Sequence, residues 1–106
     1  MPDTIESIGD KAFACSNISN IKLSNNLKSI GSQAFSDCDN LKSIDIPGSV
    51  EEIGSYAFSG SGISKIEIPK NVKYIKTKTF LSSNLKEIIL HNGLKAIGNR
   101  AFKLCQ

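Results

Sequence analysis

The 106-residue chain has no tryptophan, one methionine, one histidine and one arginine, and its three cysteines contain no CxxC pair. Each scarcity removes a chemistry. No run approaches the roughly 18 apolar residues of a membrane-spanning helix, so no membrane insertion is expected. The N-terminus, MPDTIESIGD, lacks the basic start and hydrophobic middle of a signal peptide. With a single arginine and no row of interleaved aromatics, a nucleic-acid partner is not expected. His91 has no cysteine or serine with an orienting third group near it in the pattern, so no nucleophile–base pair is read. The limb glycines recur singly at the repeat interval, without a strand–GxGxxG–helix context that would cradle a phosphate. No catalytic, cofactor-binding or metal-binding residue is assigned, and no cofactor is expected.

What is present is one stretch, Leu41 to Phe58, and its copies. Ile8-Gly9 with Ala12-Phe13, Ile30-Gly31 with Ala34-Phe35, Ile53-Gly54 with Ala57-Phe58 and Ile97-Gly98 with Ala101-Phe102 repeat one frame. A fifth copy, Ile75-Lys76 with Thr79-Phe80, loses the glycine and the alanine. The leading isoleucines are 22, 23, 22 and 22 residues apart, a period that signals a solenoid. Such an array has no single central core, because each unit packs on its neighbours.

Within each unit the pattern divides in two. Ile18–Leu23, Leu41–Ile46, Ile63–Ile68 and Leu85–Leu90 have apolar first, fourth and sixth positions, and the last two alternate as a strand requires. Turns follow at Ser24-Asn25-Asn26, Pro47-Gly48-Ser49, Pro69-Lys70-Asn71 and His91-Asn92-Gly93. Return limbs then run Leu27–Phe35, Val50–Phe58, Val72–Phe80 and Leu94–Phe102. Small alanine beside large phenylalanine predicts interlocking coils with the rings stacked as a ladder. The limb glycine is expected to hold a φ that other residues resist, which makes Lys76 the mark of an altered coil. The link Ser36–Asn40 has one residue more than its counterparts and accounts for the single 23-residue interval. Residues 1–106 form one array of about five units, the first lacking its strand and the last ending before the next strand. A piece of a longer protein, a degenerate gene product and a designed array all fit that reading.

The net charge of +3 hides an asymmetry: residues 1–53 carry a balance of −4, and residues 54–106 a balance of +7. A basic half can attract anionic partners, although a lysine-rich solvated surface is the plainer expectation.

The unit L-x-x-I-x-I-P-x-x-V-x-x-I-G-x-x-A-F, carried in full by Leu41, Ile44, Ile46, Pro47, Val50, Ile53, Gly54, Ala57 and Phe58, resembles the BspA-like class of leucine-rich repeats. The resemblance covers essentially the whole chain. It implies an α/β repeat solenoid: a right-handed leucine-rich repeat superhelix with a concave parallel β-sheet of about four strands and short helical turns or strands on the convex side. It also implies a cell-surface or secreted location with roles in adhesion and protein binding, and it supplies no catalytic residues. Members often carry a small buried cysteine at the link. Buried free thiols are therefore expected at Cys15, Cys38 and Cys105, with a Cys15–Cys38 bridge across adjacent coils as an alternative.

On the concave face the third strand position is Asn20, Ser43, Lys65 and Glu87, and the fifth is Lys22, Asp45, Glu67 and Ile89. These eight residues form the candidate binding surface for an unidentified protein or peptide ligand. Lys22 beside Asp45 is expected as a favourable pair, and Asp45 beside Glu67 as a like-charge pair that a partner's cation relieves. Ile89 is expected as an exposed apolar residue. Tyr56 and Tyr74, among Lys73, Lys76 and Lys78, make a secondary patch or ordinary surface. The alternative function is a structural segment that self-associates head-to-tail through its uncapped, oppositely charged ends.

Overall fold

A limb that carries Ile-Gly can press its backbone against the limb before it. A Cβ built on Gly31 would lie 2.6 Å from Gly9 and Asp10 backbone atoms, and one on Gly54 2.5 Å from the Ser32 nitrogen. Glycine is therefore required there by close approach of two backbones. Positive φ is not the reason, contrary to the expectation from sequence, since among the glycines only Gly60 has one.

The structure, a computed structural model, describes residues 1–103 and Cys105. Leu104 and Gln106, which belong to the final link read from the sequence, lie outside the described residues. The limbs supply β1 (Ser7–Ile8), β2 (Ser29–Ile30), β3 (Glu52–Ile53), β5 (Tyr74–Ile75) and β7 (Ala96–Ile97), while β4 (Lys65–Glu67) and β6 (Glu87–Ile89) lie on the other side of the coil. All pairings are parallel: β1-β2-β3, β4-β6 and β5-β7, with Ile8, Ile30 and Ile53 in register. No helix occurs among the described residues.

The expected four-stranded sheet is thus corrected. Among the described residues only β4 and β6 form a ladder on that side, with Ser43 bridged singly to Lys65. Ile18–Leu23 forms no strand, and its interval to Leu41–Ile46 is the one that contains the longer link. A one-residue slip in a strand would turn every side chain to the wrong face. Here a turn absorbs the extra residue, Leu41 donating to the Cys38 carbonyl at 3.1 Å, and a groove of about 320 Å³ lies between the two segments.

The core behaves as the sequence predicts. Phe13, Phe35, Phe58, Phe80 and Phe102 stack with centroids 5.3 to 5.6 Å apart and planes within 10°. Leu27, Leu41, Val50, Ile53, Ala57 and Ile63 are fully or almost fully buried around them. Rings in offset register give about 0.5–1.5 kcal/mol per pair beyond their buried area.

Beside this column the backbone takes an unusual path. Lys11, Gln33, Tyr56, Lys78 and Arg100 all have φ between 55° and 62°, and Cys15, Asp37, Gly60 and Ser82 repeat the feature four residues on in their coils. The left-handed turn points successive N–H groups along the stacking axis. Tyr56, Phe58 and Gly60, for example, donate to the carbonyls of Thr77, Thr79 and Leu81 in the next coil. Each junction carries three such bonds, so the turn column is its constant part.

Candidate functional site

The eight residues of the candidate surface, Asn20, Lys22, Ser43, Asp45, Lys65, Glu67, Glu87 and Ile89, are all exposed. Alternation places them outward, because Ile44 and Ile66 between them point into the core. Lys65 stands opposite Glu87, and Glu67 opposite Ile89, in the β4–β6 ladder. Ile89 is 41% exposed and is joined by Leu90, also 41%, which the pattern assigns to the inner side.

Charge pairing differs from the expectation. Lys22 and Asp45 form no ion pair among the described residues, because no ladder aligns their segments; both line the groove between them. The pair that does form on this side is Lys65–Glu87, 3.6 Å apart with both side chains about 60% exposed. Such an exposed pair contributes little. Asp45 also lines a second groove of about 400 Å³ with Glu67 and Lys70, over Ile44, Ile46 and Pro69. Two carboxylates one coil apart, neither in an ion pair among the described residues, border a partly apolar channel.

On the limb side, Lys76 leaves a mark that the sequence only hinted at. At regular junctions Gly31 and Gly54 donate to Ile8 and Ile30 carbonyls at 2.8 Å, and Glu51 and Lys95 donate to Lys28 and Lys73. The equivalent bonds from Lys73, Tyr74 and Lys76 to coil 50–58 are absent among the described residues, and the limb sheet divides between β3 and β5. A lysine Cβ cannot enter the space that glycine leaves. The gap is bordered by a groove of about 530 Å³ lined by Glu51, Glu52, Asn71, Lys73, Tyr74 and Lys76. Lys76 Nζ crosses it to Glu52 Oε1 at 3.1 Å. Tyr56 is partly covered by Lys78, whose Nζ lies 5.5 Å from the ring centroid, whereas Tyr74 is 52% exposed.

The cysteines are all free. Cys38 is buried and donates to the Phe13 carbonyl at 3.0 Å, and Cys105 does the same to Phe80 at 3.1 Å. Cys15 is exposed, which corrects the expectation of burial. It sits one position earlier in its coil than Cys38 does, so it faces Asp37, while Ser16 faces Cys38 at 3.5 Å. His91, in the turn after the last strand segment, is half-buried and joins two coils. Gly93 N–H donates to Nδ1 at 3.0 Å, so Nε2 carries the proton and donates to the Val72 carbonyl at 2.7 Å.

Stacked coils of one period, short parallel strands and a scaffold of repeated Ile, Gly, Ala and Phe define a leucine-rich repeat protein. The family model for the BspA type leucine rich repeat region matches residues 1–106 in six copies, and the chain belongs to that family. Repeats of this family are typically non-enzymatic binding modules. Among solved structures, the crystal structure of the T. pallidum leucine rich repeat protein TpLRR is similar over 92% of this chain, at 30% identity and a TM-score of 0.81. The chain spans about half of that protein, 47% of its length. No curated protein matches it.

Proposed function

We propose that the chain is a non-enzymatic protein-interaction or adhesion module of a cell-surface or secreted protein, holding a protein or peptide ligand on its strand side. In this reading the strand side is the concave face of a right-handed superhelix. The observation that carries the reading is the pair Asp45 and Glu67. They border one channel over Ile44, Ile46 and Pro69, without an ion-pair partner among the described residues. A ligand segment with lysine or arginine beside an apolar residue would satisfy both features. Displaying a library of such peptides to the protein and to its Asp45→Lys/Glu67→Lys variant tests this. Peptides enriched on the parent and lost on the variant are expected; enrichment that survives the double substitution sinks the reading.

A second reading is head-to-tail stacking of copies of the 106-residue chain, favoured by its charge asymmetry: residues 1–53 carry a balance of −4 and residues 54–106 one of +7. Stacked head-to-tail in the internal register, Glu6 of one copy meets Lys95 of another, with opposite charges. Light-scattering mass that grows with concentration and shrinks with salt is expected under this reading. A constant single-chain mass counts against it.

A further inference from the structure

From Ile68 to Gln106 the chain contains one acidic residue, Glu87, and the fold puts it on the strand side beside Lys65. The limb side of the last two coils therefore carries only positive charge. Lys73, Lys76, Lys78, Lys95 and Arg100 lie there, with Lys103 just past the end of the last limb, and only Lys76 is in an ion pair among the described residues, with Glu52 of the preceding coil.

The repeat places four of these cations in two columns rather than scattering them. Lys95 donates its backbone N–H to the Lys73 carbonyl at 2.7 Å, so their side chains leave adjacent backbones at the same position of two coils. Lys78 and Arg100 share the left-handed position of their coils, with φ of 55° and 58°. The coils are about one ring stack apart, 5.6 Å between the Phe80 and Phe102 centroids. Like charges directly opposite each other on neighbouring strands are destabilising. Coils this close let the charges of each pair come within the ~8–10 Å Debye length at ordinary ionic strength, where their fields add. The left-handed position favours glycine, yet it holds Lys, Gln, Tyr, Lys and Arg, each with a long side chain. Stability alone does not explain cations stacked in register there; an anion laid along the columns relieves the repulsion.

We infer that the limb side of the last two coils is a docking surface for a linear polyanion, specifically a sulfated polysaccharide chain. The width of two coils suits a single chain. Five of the six cations are lysines, compact charges that suit sulfates spaced along a flexible chain, whereas phosphate and base recognition favours the planar fork of arginine. Single-stranded nucleic acid also requires open aromatic platforms. Of the two tyrosines on this side only Tyr74 is widely exposed, while Tyr56 lies under Lys78.

Heparin oligosaccharide titrated into the 106-residue protein is the test, with an oligothymidylate of matched charge as the comparison. Binding is expected at about 50 mM salt and should weaken on the order of 10²–10³-fold by about 200 mM, as several cation contacts imply. Lys78→Glu/Arg100→Glu should weaken it at least tenfold. Lys42→Glu/Lys86→Glu, the same charge change on the strand side, should leave it within about threefold. Lys95→Gln/Lys103→Gln is a milder second variant, should the first fail to fold. The inference is overturned by absence of binding at low salt, by equal losses in the limb-side and strand-side variants, or by tighter binding of the oligonucleotide.

Discussion

Lys76 meets Glu52, Nζ to Oε1 at 3.1 Å, across the one junction among the described residues where the limb ladder lacks its hydrogen bonds. The ion pair spans a gap that the same lysine creates, since its position in the other coils belongs to glycine. With side chains 39% and 65% exposed, the pair is worth little, and the missing backbone bonds matter more.

Lys76→Gly should therefore close the gap. Amide hydrogen exchange at Lys73, Tyr74 and position 76 is expected to slow roughly fivefold, equivalent to about 1 kcal/mol per restored bond. Net stability should change by less, because glycine costs about 0.5–1 kcal/mol in backbone entropy and the ion pair is lost. Unchanged exchange at all three amides would show that the side chain is not what holds the coils apart.

The opposite substitution separates close approach from conformational freedom. Gly31→Ala should cost more than about 2 kcal/mol in urea unfolding, because its Cβ would collide with backbone that cannot move aside. Gly9→Ala, with nothing within 4 Å of the added carbon, should stay within about 1 kcal/mol of the parent. Similar losses at both positions would refute the packing explanation.

Ser61 Oγ is buried without a hydrogen-bond partner among the described residues, in the column where Cys38 and Cys105 reach carbonyls of the preceding coil. A buried, unmet hydroxyl carries a desolvation penalty. Ser61→Ala is expected to raise stability by up to about 1 kcal/mol, read from the denaturation midpoint; a loss of that size would reveal a partner for the hydroxyl.

The cysteines provide a chemical check on the register. Cys15 is expected to react with a soluble thiol reagent at once, and Cys38 only as fast as the array opens. Rapid, simultaneous labelling of both would mean that the link containing Cys38 does not pack as described.

How far the sequence could be read differs by element. The period, the phenylalanine column and the limb isoleucines follow from side-chain size and spacing, and all were legible. The distribution of ladders was not, because Ile-x-Ile on one side and x-Ile-Gly on the other are both compatible with a strand. Which side pairs is decided by how closely two backbones approach, and that depends on both neighbours. Gly31 and Gly54 were recognised as special, but for torsion rather than contact. The left-handed turns at Gln33, Tyr56 and Lys78 had no signal, since these residues do not favour that region. The missing Lys22–Asp45 pair traces to the link before Leu41, whose extra residue was visible although its effect on alignment was not. All eight candidate-surface residues proved exposed, as strict alternation along Ile44-Asp45-Ile46 and Ile66-Glu67-Ile68 requires.

The three turn-column bonds hold every junction, but the flanking ladders are divided unevenly. Between coils 27–35 and 50–58 only the limb side is laddered, and at the following junction only a single bridge on the strand side remains. A rod fastened along one line and unlatched on opposite flanks at successive joints can yield in opposite senses. Bending at the first opens the strand side; bending at the second opens the limb side. The array can thus adjust its curvature to a surface while the aromatic stack stays continuous, much as a spine flexes without separating its vertebrae.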